Sequence, residues 1–277
     1  MNIAVIGLGL IGGSFAKACK RANHTVMGLD KEKSVVLKAK LLNAIDKEID
    51  VLELDKADIV IIALYKGDVI KFVKDNSDKF SKDAVVLDCT GTKRSVCKEI
   101  EPIATKKGFH FIGAHPMAGR EYSGFDYSMD NLFENASILL TPSENIPIKI
   151  LSDIKKFFSK LGFLEIVITS PEKHDQIIAY TSELAHVVSN TYVKSPMAQK
   201  HGGFSAGSFK DLTRVAKLNV KMWTELFIDN KDNLVNELDI LIKNLQIFKD
   251  ALKEGNEKEI SNLLEQGVKC KENADKQ

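Results

Sequence analysis

Residues 2–22, NIAVIGLGLIGGSFAKACKRA, decide the predicted fold because an apolar strand, a glycine turn and a helix follow one another without a break. The run IAVIG at 3–7 is predicted to be a buried strand, and GGSFAKACKRA at 12–22 has helical periodicity. The glycines of the turn, in GxGxxG spacing, are Gly7, Gly9 and Gly12. A glycine turn between strand and helix predicts a phosphate-binding site, since the helix N-terminus faces the anion.

The turn and the acid that follows it predict a dinucleotide cofactor. Gly7 permits the tight turn, Gly9 lets the backbone approach a pyrophosphate, and Gly12 lets helix and strand pack closely. Asp30 ends the second predicted strand, where a carboxylate binds ribose hydroxyls and repels a 2′-phosphate. NAD is therefore favoured over NADP, although two lysines just after Asp30 weaken the exclusion. The predicted cofactor-binding residues are Gly7, Leu8, Gly9, Leu10, Ile11, Gly12 and Asp30.

Strand and helix patterns alternate through the first part of the chain. Near-continuous apolar runs at 57–64 and 83–89 are typical of strands buried on both faces of a parallel sheet. The other predicted strands are 24–30, 136–142, 164–170 and a strand within 109–115 whose end runs into a loop. This alternation predicts a Rossmann-type, doubly wound α/β domain over residues 1–170.

The pattern becomes helical after residue 170. Ser170 is a predicted N-cap and Pro171 the first residue of a long helix. Apolar residues at 234, 238, 241, 245, 248 and 252 form a helix seam that packs against this chain or a second subunit. A helical part of this length has more apolar surface than its own helices can bury. We therefore predict an all-helical domain over 171–277 that forms a homodimer.

The composition argues against several classes of protein. Lys and Arg number 39 against 38 Asp and Glu, so the charge gives no general reason to expect nucleic acid or an anionic membrane as a partner. No apolar run approaches the roughly 20 residues of a membrane span. The four cysteines have no metal-ligand spacing, so no metal is predicted. Free thiols, and a strand directly after Met1 in place of a signal peptide, predict a cytoplasmic protein.

A histidine stands out in IGAHPMAGRE at 112–121, where small residues and a proline are unsuited to a helix. Substrates of α/β folds lie beyond the carboxyl ends of the strands, and we expect His115 in a loop at that edge, just past a strand at 109–113. A histidine so placed binds a substrate hydroxyl and takes its proton as hydride leaves the carbon. His115 is therefore the predicted catalytic residue.

Four stretches together resemble the prephenate dehydrogenase family: GLGLIGGS from residue 7, GAHPMAGRE from 113, TSELAHVVSN from 181 and FKDLTRVA from 209. The resemblance reaches from the glycine turn to about Trp223. It implies a dinucleotide domain followed by a helical dimerisation domain. It also implies a reaction of tyrosine biosynthesis. Hydride passes from C4 of prephenate to NAD, carbon dioxide leaves, and 4-hydroxyphenylpyruvate forms.

The resemblance further implies the residues that hold this dianionic substrate. Arg214 matches the family arginine that binds a substrate carboxylate, for which its planar fork is suited. Glu121 matches an acidic residue near the pocket mouth. The dipeptide His174-Asp175 is another family feature, expected to be structural or to support the pocket. The predicted substrate-binding residues are His186, Arg214, Glu121, Thr92, Lys93 and Trp223.

The sequence departs from the family pattern at three positions. Gly91 stands where many relatives have a serine that bonds the catalytic histidine, so Thr90, Thr92 or a water is expected to replace it. Glu183 replaces a histidine of the common SHLPH motif, and Lys210 replaces an arginine. A carboxylate at 183 favours an amine, so the amino-bearing relative of prephenate, arogenate, is an alternative substrate.

Two other functions are left as alternatives. A 3-hydroxyacid dehydrogenase also has a helical second domain, but it typically relies on a catalytic lysine there, and no lysine here stands in a comparable motif. A non-catalytic NAD-sensing protein would keep the glycine turn without needing His115 or Arg214, and both are present.

Overall fold

A computed structural model describes residues 1–120 and 122–276 and places within them one eight-stranded sheet. The strands are β1 (Asn2–Ile6), β2 (Thr25–Leu29), β3 (Lys47–Glu48), β4 (Ile59–Ile62), β5 (Val85–Asp88), β6 (His110–Pro116), β7 (Ser137–Pro142) and β8 (Glu165–Ile168). Their order is β3-β2-β1-β4-β5-β6-β7-β8, and neighbours are parallel except β6 and β7. The predicted doubly wound α/β fold is confirmed, with the two-residue β3 as an unpredicted addition.

The helices fall into two sets. Those between the strands are α1 (Leu10–Arg21), α2 (Lys33–Leu41), α3 (Lys66–Asn76), α4 (Arg94–Lys107) and α5 (Ile148–Lys160). Those after the sheet are α6 (Pro171–Ile178), α7 (Ala185–Tyr192), α8 (Gly207–Thr213), α9 (Val220–Asp229), α10 (Lys231–Glu254) and α11 (Glu257–Ala274). A π-helical segment, Ala179–Leu184, joins α6 to α7. The division into 1–170 and 171–277 stays a prediction, and β8 and α6 lie on its two sides.

The end of β6 differs from the predicted loop. β5 pairs with β6 only as far as Ile112, whereas the antiparallel β7 pairs through Pro116 and places His115 opposite Leu139. β7 therefore carries β6 beyond the carboxyl end of β5. The prediction of a loop at His115 is wrong because its strand partner comes from a distant segment. The histidine nevertheless lies past the carboxyl end of the neighbouring parallel strand, as expected.

Both faces of the sheet are covered. Along β1, Ile3 belongs to one apolar core and Ala4 to the other, as expected of a strand buried on both sides. An aromatic cluster fastens α1 and α5 to one face. The ring centroids of Phe15 and Phe133 are 4.2 Å apart, and Phe158 meets Phe163 edge-on at 5.5 Å.

The helical part begins as predicted and leaves its seam partly uncovered. The Ser170 hydroxyl accepts the Lys173 backbone N–H at 3.2 Å, and α6 starts at Pro171. Of the predicted seam on α10, Leu234 is buried but Leu245 and Leu252 are about 60% exposed in the single chain. No helix in the described part of the chain is both long enough and apolar enough to cross a membrane.

The aromatic cluster predicts a large stability effect. Phe158→Ala removes a ring that is 1% exposed, so we expect the free energy of unfolding to fall by about 3–5 kcal/mol. Leu41→Ala on the surface of α2, where the side chain is 77% exposed, should cost less than about 0.5 kcal/mol. Urea denaturation measures both, and equal losses would contradict the placement of the core.

Candidate active site

The turn between β1 and α1 fits the phosphates of a dinucleotide. Gly7 has φ +85°, a conformation that favours glycine, and a Cβ there would lie 2.6 Å from the Ala63 carbonyl oxygen. A Cβ on Gly12 would lie 1.8 Å from the Gly7 oxygen, so strand and helix meet backbone to backbone. A Cβ on Gly9 would meet no atom within 4 Å. The turn is therefore open beside the N-terminus of α1, where an anion is stabilised.

Asp30 lies at the end of β2 and bonds to the same turn. Its Oδ2 accepts the Leu8 backbone N–H at 2.7 Å, and its Oδ1 accepts the Glu32 backbone N–H at 3.0 Å. The side chain of Leu8 is buried in the core. Helix α1 begins two residues earlier than predicted, so Leu10 and Ile11 lie in its first turn. The structure thus brings the predicted nucleotide-binding residues together around one helix N-terminus.

His115 is the first member of a chain of three hydrogen-bonded side chains. Its Nδ1 lies 3.0 Å from His174 Nε2, and His174 Nδ1 lies 2.7 Å from Asp175 Oδ1. His174 and Asp175 are buried, whereas His115 is half-buried. Burial, and then the charges of His174 and Lys93, hold the pKa of His115 well below its usual value. The imidazole is therefore neutral near pH 7 and able to accept a proton.

The Asp175 carboxylate joins the helical part to the sheet. Its oxygens accept the backbone N–H groups of Lys93 at 2.7 Å and Arg94 at 3.0 Å, where α4 begins. The guanidinium of Arg94 adds a further contact at 3.2 Å. Burial alone would raise the pKa of Asp175, but the hydrogen bonds from His174, Arg94 and Lys93 outweigh it and lower the pKa.

Lys93 and Thr92 do not have the predicted position in the substrate pocket. Lys93 is fully buried, and its Nζ forms an ion pair with Asp88 and lies 3.0 Å from Thr90 Oγ1. Thr92 is also fully buried, and its hydroxyl donates to Asp229 Oδ2 at 2.6 Å. Neither side chain is open to a ligand, so the structure corrects both predictions. Lys93 supports the end of β5, and Thr92 ties the loop after β5 to α9.

Thr90 and Thr92, two of the expected substitutes for the family serine, do not form a hydrogen bond with His115. The Thr90 hydroxyl donates at the Asp88 carboxylate, and the Thr92 hydroxyl donates to Asp229. Gly91, which lies between them, has no side chain to offer. The hydrogen-bond partner of His115 is instead His174, which lies on α6.

A second group of predicted residues meets in the helical part. The ring centroids of His186 and Trp223 are 3.8 Å apart, and His186 Nδ1 donates to the Ser182 carbonyl at 2.8 Å. Burial lowers the pKa of His186, and the Arg214 charge lowers it further against the opposing effect of the Ser182 bond. The aromatic surface of Trp223 beside the charge of Arg214 suits a ligand whose ring carries carboxylates.

No direct contact between the two groups is found among the described residues. No hydrogen bond or ring contact joins His115 to His186 or Trp223 within residues 1–120 and 122–276. Glu121, the remaining predicted substrate-binding residue, lies outside the described residues.

Glu183 is buried and does not face a ligand. Only 1% of the residue is exposed, and its Oε2 accepts a hydrogen bond from Asn230 Nδ2 at 2.9 Å. Its Oε1 is buried without a hydrogen-bond partner among the described residues. Burial raises the pKa of Glu183 to about 7, so the carboxyl is protonated in mildly acidic solution. The predicted contact with a substrate amine is therefore not supported by the position of this residue.

Polar residues where α9 meets α10 were missed by the sequence analysis. Asp229 accepts Lys66 Nζ at 2.7 Å and Ser95 Oγ at 2.8 Å, both from loops or helices of the sheet domain. Asn230 is fully buried and donates to the Asp175 carbonyl at 2.8 Å. The run DNKD at 229–232, which lies between two helical patterns, could have indicated this cluster in the sequence. Acidic and amide side chains that are buried between helices require hydrogen-bond partners.

The open face of the turn predicts a separable effect on cofactor binding. Gly9→Ala adds a methyl group where nothing in the protein meets it, and φ −75° is accessible to alanine, so the fold should persist. The methyl group should obstruct the pyrophosphate and weaken NAD binding at least ~10-fold, about 1.4 kcal/mol. Titration calorimetry checks this, with Gly267→Ala on α11, which is equally unobstructed, as the matched control. Unchanged NAD affinity for Gly9→Ala would refute the assignment.

The buried carboxyl of Glu183 predicts a pH-dependent stability. The pKa of Glu183 in the folded protein is about 7, above its usual value of 4.5. The neutral carboxyl therefore stabilises the folded state fully below pH 4.5, and this stabilisation is lost as the pH rises through about 7. Glu183→Gln keeps a neutral side chain at every pH. The difference in Tm, variant minus parent, should therefore be more positive at pH 8 than at pH 5. Thermal unfolding measures it, with Glu265→Gln on the exposed side of α11 as control. A difference that is constant with pH would contradict the burial of this carboxyl.

Comparison with protein families covers both parts of the chain. Residues 15–167 match the family model described as prephenate dehydrogenase, nucleotide-binding domain. Residues 170–266 match the model described as prephenate dehydrogenase, dimerization domain. The first match begins at Phe15, within α1, and takes in the strands from β2 onward, whereas the glycine turn lies just before it. The second match takes in α6 and most of the helices after it.

Individual relatives match over most of the chain. The cyclohexadienyl dehydrogenase of Zymomonas mobilis is 29% identical over 265 residues, covering 91% of this chain and 88% of the relative. The prephenate dehydrogenase of Bacillus subtilis is 29% identical and covers 88% of this chain and 68% of its own length. The prephenate dehydrogenase from Aquifex aeolicus, solved in complex with hydroxyphenyl propionate and NAD⁺, superposes with TM-score 0.86 at 30% identity over 98% of both chains. The Synechocystis arogenate dehydrogenase superposes with TM-score 0.80 at 26% identity over 99% of this chain and all of its own. The chain belongs to the prephenate dehydrogenase family.

Proposed function

We propose that this chain oxidises prephenate at C4 with NAD, with loss of carbon dioxide, to give 4-hydroxyphenylpyruvate in tyrosine biosynthesis. The observation that carries the proposal is the position and state of His115. The side chain lies past the carboxyl end of β5, its pKa is lowered so that it is neutral, and its Nδ1 bonds His174. Its Nε2 has no hydrogen-bond partner among the described residues and is free to bind a substrate hydroxyl.

The cofactor assignment rests on the fit of the glycine turn and on the family. The turn is open at Gly9, and Asp30 is held at the end of β2 by two backbone N–H groups. The related Aquifex aeolicus enzyme was solved with NAD⁺. When bound, NAD⁺ accepts the hydride, while the protein supplies the base and the cationic residues.

The substrate assignment rests on charge and shape. Prephenate carries two carboxylates, and Arg214 lies close enough to His186 for its charge to lower the pKa of that imidazole. Trp223 lies against the same imidazole, with the two rings tilted by 30°, and provides a flat apolar surface. Arogenate is a second candidate, because the superposition with the Synechocystis arogenate dehydrogenase extends over almost the whole chain.

The assembly that we propose is a cytoplasmic homodimer formed through the helical domain. Leu245 and Leu252 of the α10 seam are about 60% exposed in the single chain, and the matching family model describes a dimerisation domain. A second copy packed on this seam would remove those side chains from water. The free thiols are consistent with a reducing compartment.

The central prediction concerns His115→Asn. The variant lacks the base, so kcat for NADH formation from prephenate should fall by about 10²–10⁴. Absorbance of NADH measures the rate, in parallel assays with prephenate and arogenate that also identify the substrate. His110→Asn on the same strand is the matched control and should keep its rate. Undiminished turnover in His115→Asn, or no turnover of either substrate by an NAD-bound parent protein, would overturn the proposal.

A further inference from the structure

The three-residue chain of His115, His174 and Asp175 fixes the positions of hydrogens. The pKa of Asp175 is lowered, so its carboxylate is ionised and only accepts hydrogen bonds. His174 Nδ1, 2.7 Å from that carboxylate, must therefore carry a hydrogen. A neutral imidazole with hydrogen on Nδ1 has a lone pair on Nε2, and His115 Nδ1 lies 3.0 Å from this atom. His115 Nδ1 is then the donor, and its own lone pair is on Nε2.

We propose that His174 and Asp175 are positioning residues that hold His115 in the tautomer with hydrogen on Nδ1, leaving Nε2 as the base. This inference rests on the proposed function and assigns its base to one atom. The opposite tautomer would present an N–H to the substrate hydroxyl and could not take its proton. An isolated neutral histidine side chain favours that opposite tautomer, so a partner on Nδ1 is required.

The arrangement also accounts for the proton during the reaction. The hydroxyl proton moves to His115 Nε2 as hydride leaves C4, and a carbonyl forms at C4. The bond to the ring carboxylate then breaks, carbon dioxide departs, and its electron pair passes through the ring to the C4 oxygen. Nε2 returns the proton to that oxygen. The transient imidazolium is stabilised through neutral His174, which is itself bonded to the Asp175 carboxylate.

The environment of His115 makes this support necessary. Lys93 is buried close by, and its charge opposes protonation of both histidines. The same lysine is paired with Asp88, which also accepts the Ala114 backbone N–H at 3.2 Å, next to the histidine in β6. Asp175 raises the proton affinity of His174, whereas no carboxylate within residues 1–120 and 122–276 has a corresponding effect on His115. The Asp175 carboxylate therefore acts on His115 only indirectly, through the hydrogen bonds of His174.

A purely structural role for His174 is the competing interpretation. Asp175 also receives the backbone N–H groups of Lys93 and Arg94, so its replacement would disturb the junction between sheet and helices. Variants of His174 leave those bonds intact. Glutamine can accept a hydrogen bond from His115 Nδ1 through its side-chain oxygen, whereas phenylalanine fills the space without an acceptor.

The tautomer can be measured in the full-length protein without cofactor or substrate. Long-range ¹H–¹⁵N correlation spectra of ¹⁵N-histidine protein distinguish hydrogen on Nδ1 from hydrogen on Nε2. The chain has six histidines, and the signal that disappears in His115→Asn identifies His115. We expect hydrogen on Nδ1 in the parent and in His174→Gln, and hydrogen on Nε2 in His174→Phe.

Kinetics supply the second measurement. In His174→Phe, kcat should fall at least ~100-fold while KM changes little, because general-base catalysis is worth about 10²–10⁴. His174→Gln should retain kcat within roughly tenfold. A structural role alone would instead lower Tm in both variants without changing the tautomer.

The proposal is overturned if parent His115 carries its hydrogen on Nε2, or if His174→Phe keeps the parent kcat. If His174→Phe fails to fold, the parent spectrum and the glutamine variant still decide the question. Failure of the proposed function is distinguishable, since it would appear as absent turnover in a parent protein whose spectrum still shows the Nδ1 tautomer.

Discussion

The buried carboxylate of Asp175 is the interaction on which the site depends. It is bonded to the start of α4 on the sheet side and to His174 on the helical side, so a single side chain joins both parts. A buried charge is tolerated only when donors surround it, and here backbone N–H groups, a guanidinium and an imidazole do so. The fit between the two parts and the state of the proposed catalytic histidine therefore have a common physical origin.

The sheet contributes the second constraint. Parallel strands end together at one edge, and a residue beyond that edge ordinarily lies in a mobile loop. The antiparallel β7 instead holds the end of β6 as a strand through Pro116. His115 is thereby fixed by backbone pairing as well as by its side-chain partner, which limits the reorganisation that the proposed proton transfer requires.

Local patterns in the sequence were sufficient for the features that depend on near neighbours. The turn around Gly7 and Gly9 and the capped start of α6 at Ser170 are short-range signals, and each is found at or near its predicted residues. The loop at His115 was mispredicted because β7 is distant in sequence. The substrate contact of Lys93 was mispredicted because its type suggests exposure, while the partner that permits its burial, Asp88, is visible only in three dimensions.

The π-helical segment between α6 and α7 has a consequence for the direction of side chains. His174 and His186 are twelve positions apart, which in an uninterrupted α-helix corresponds to directions about 120° apart. The wider turn at Ala179–Leu184 takes up one extra residue, and the remaining eleven steps leave a difference of about 20°. One inserted residue thus turns His174, which bonds His115, and His186, which contacts Trp223, toward the same side of one continuous helical segment.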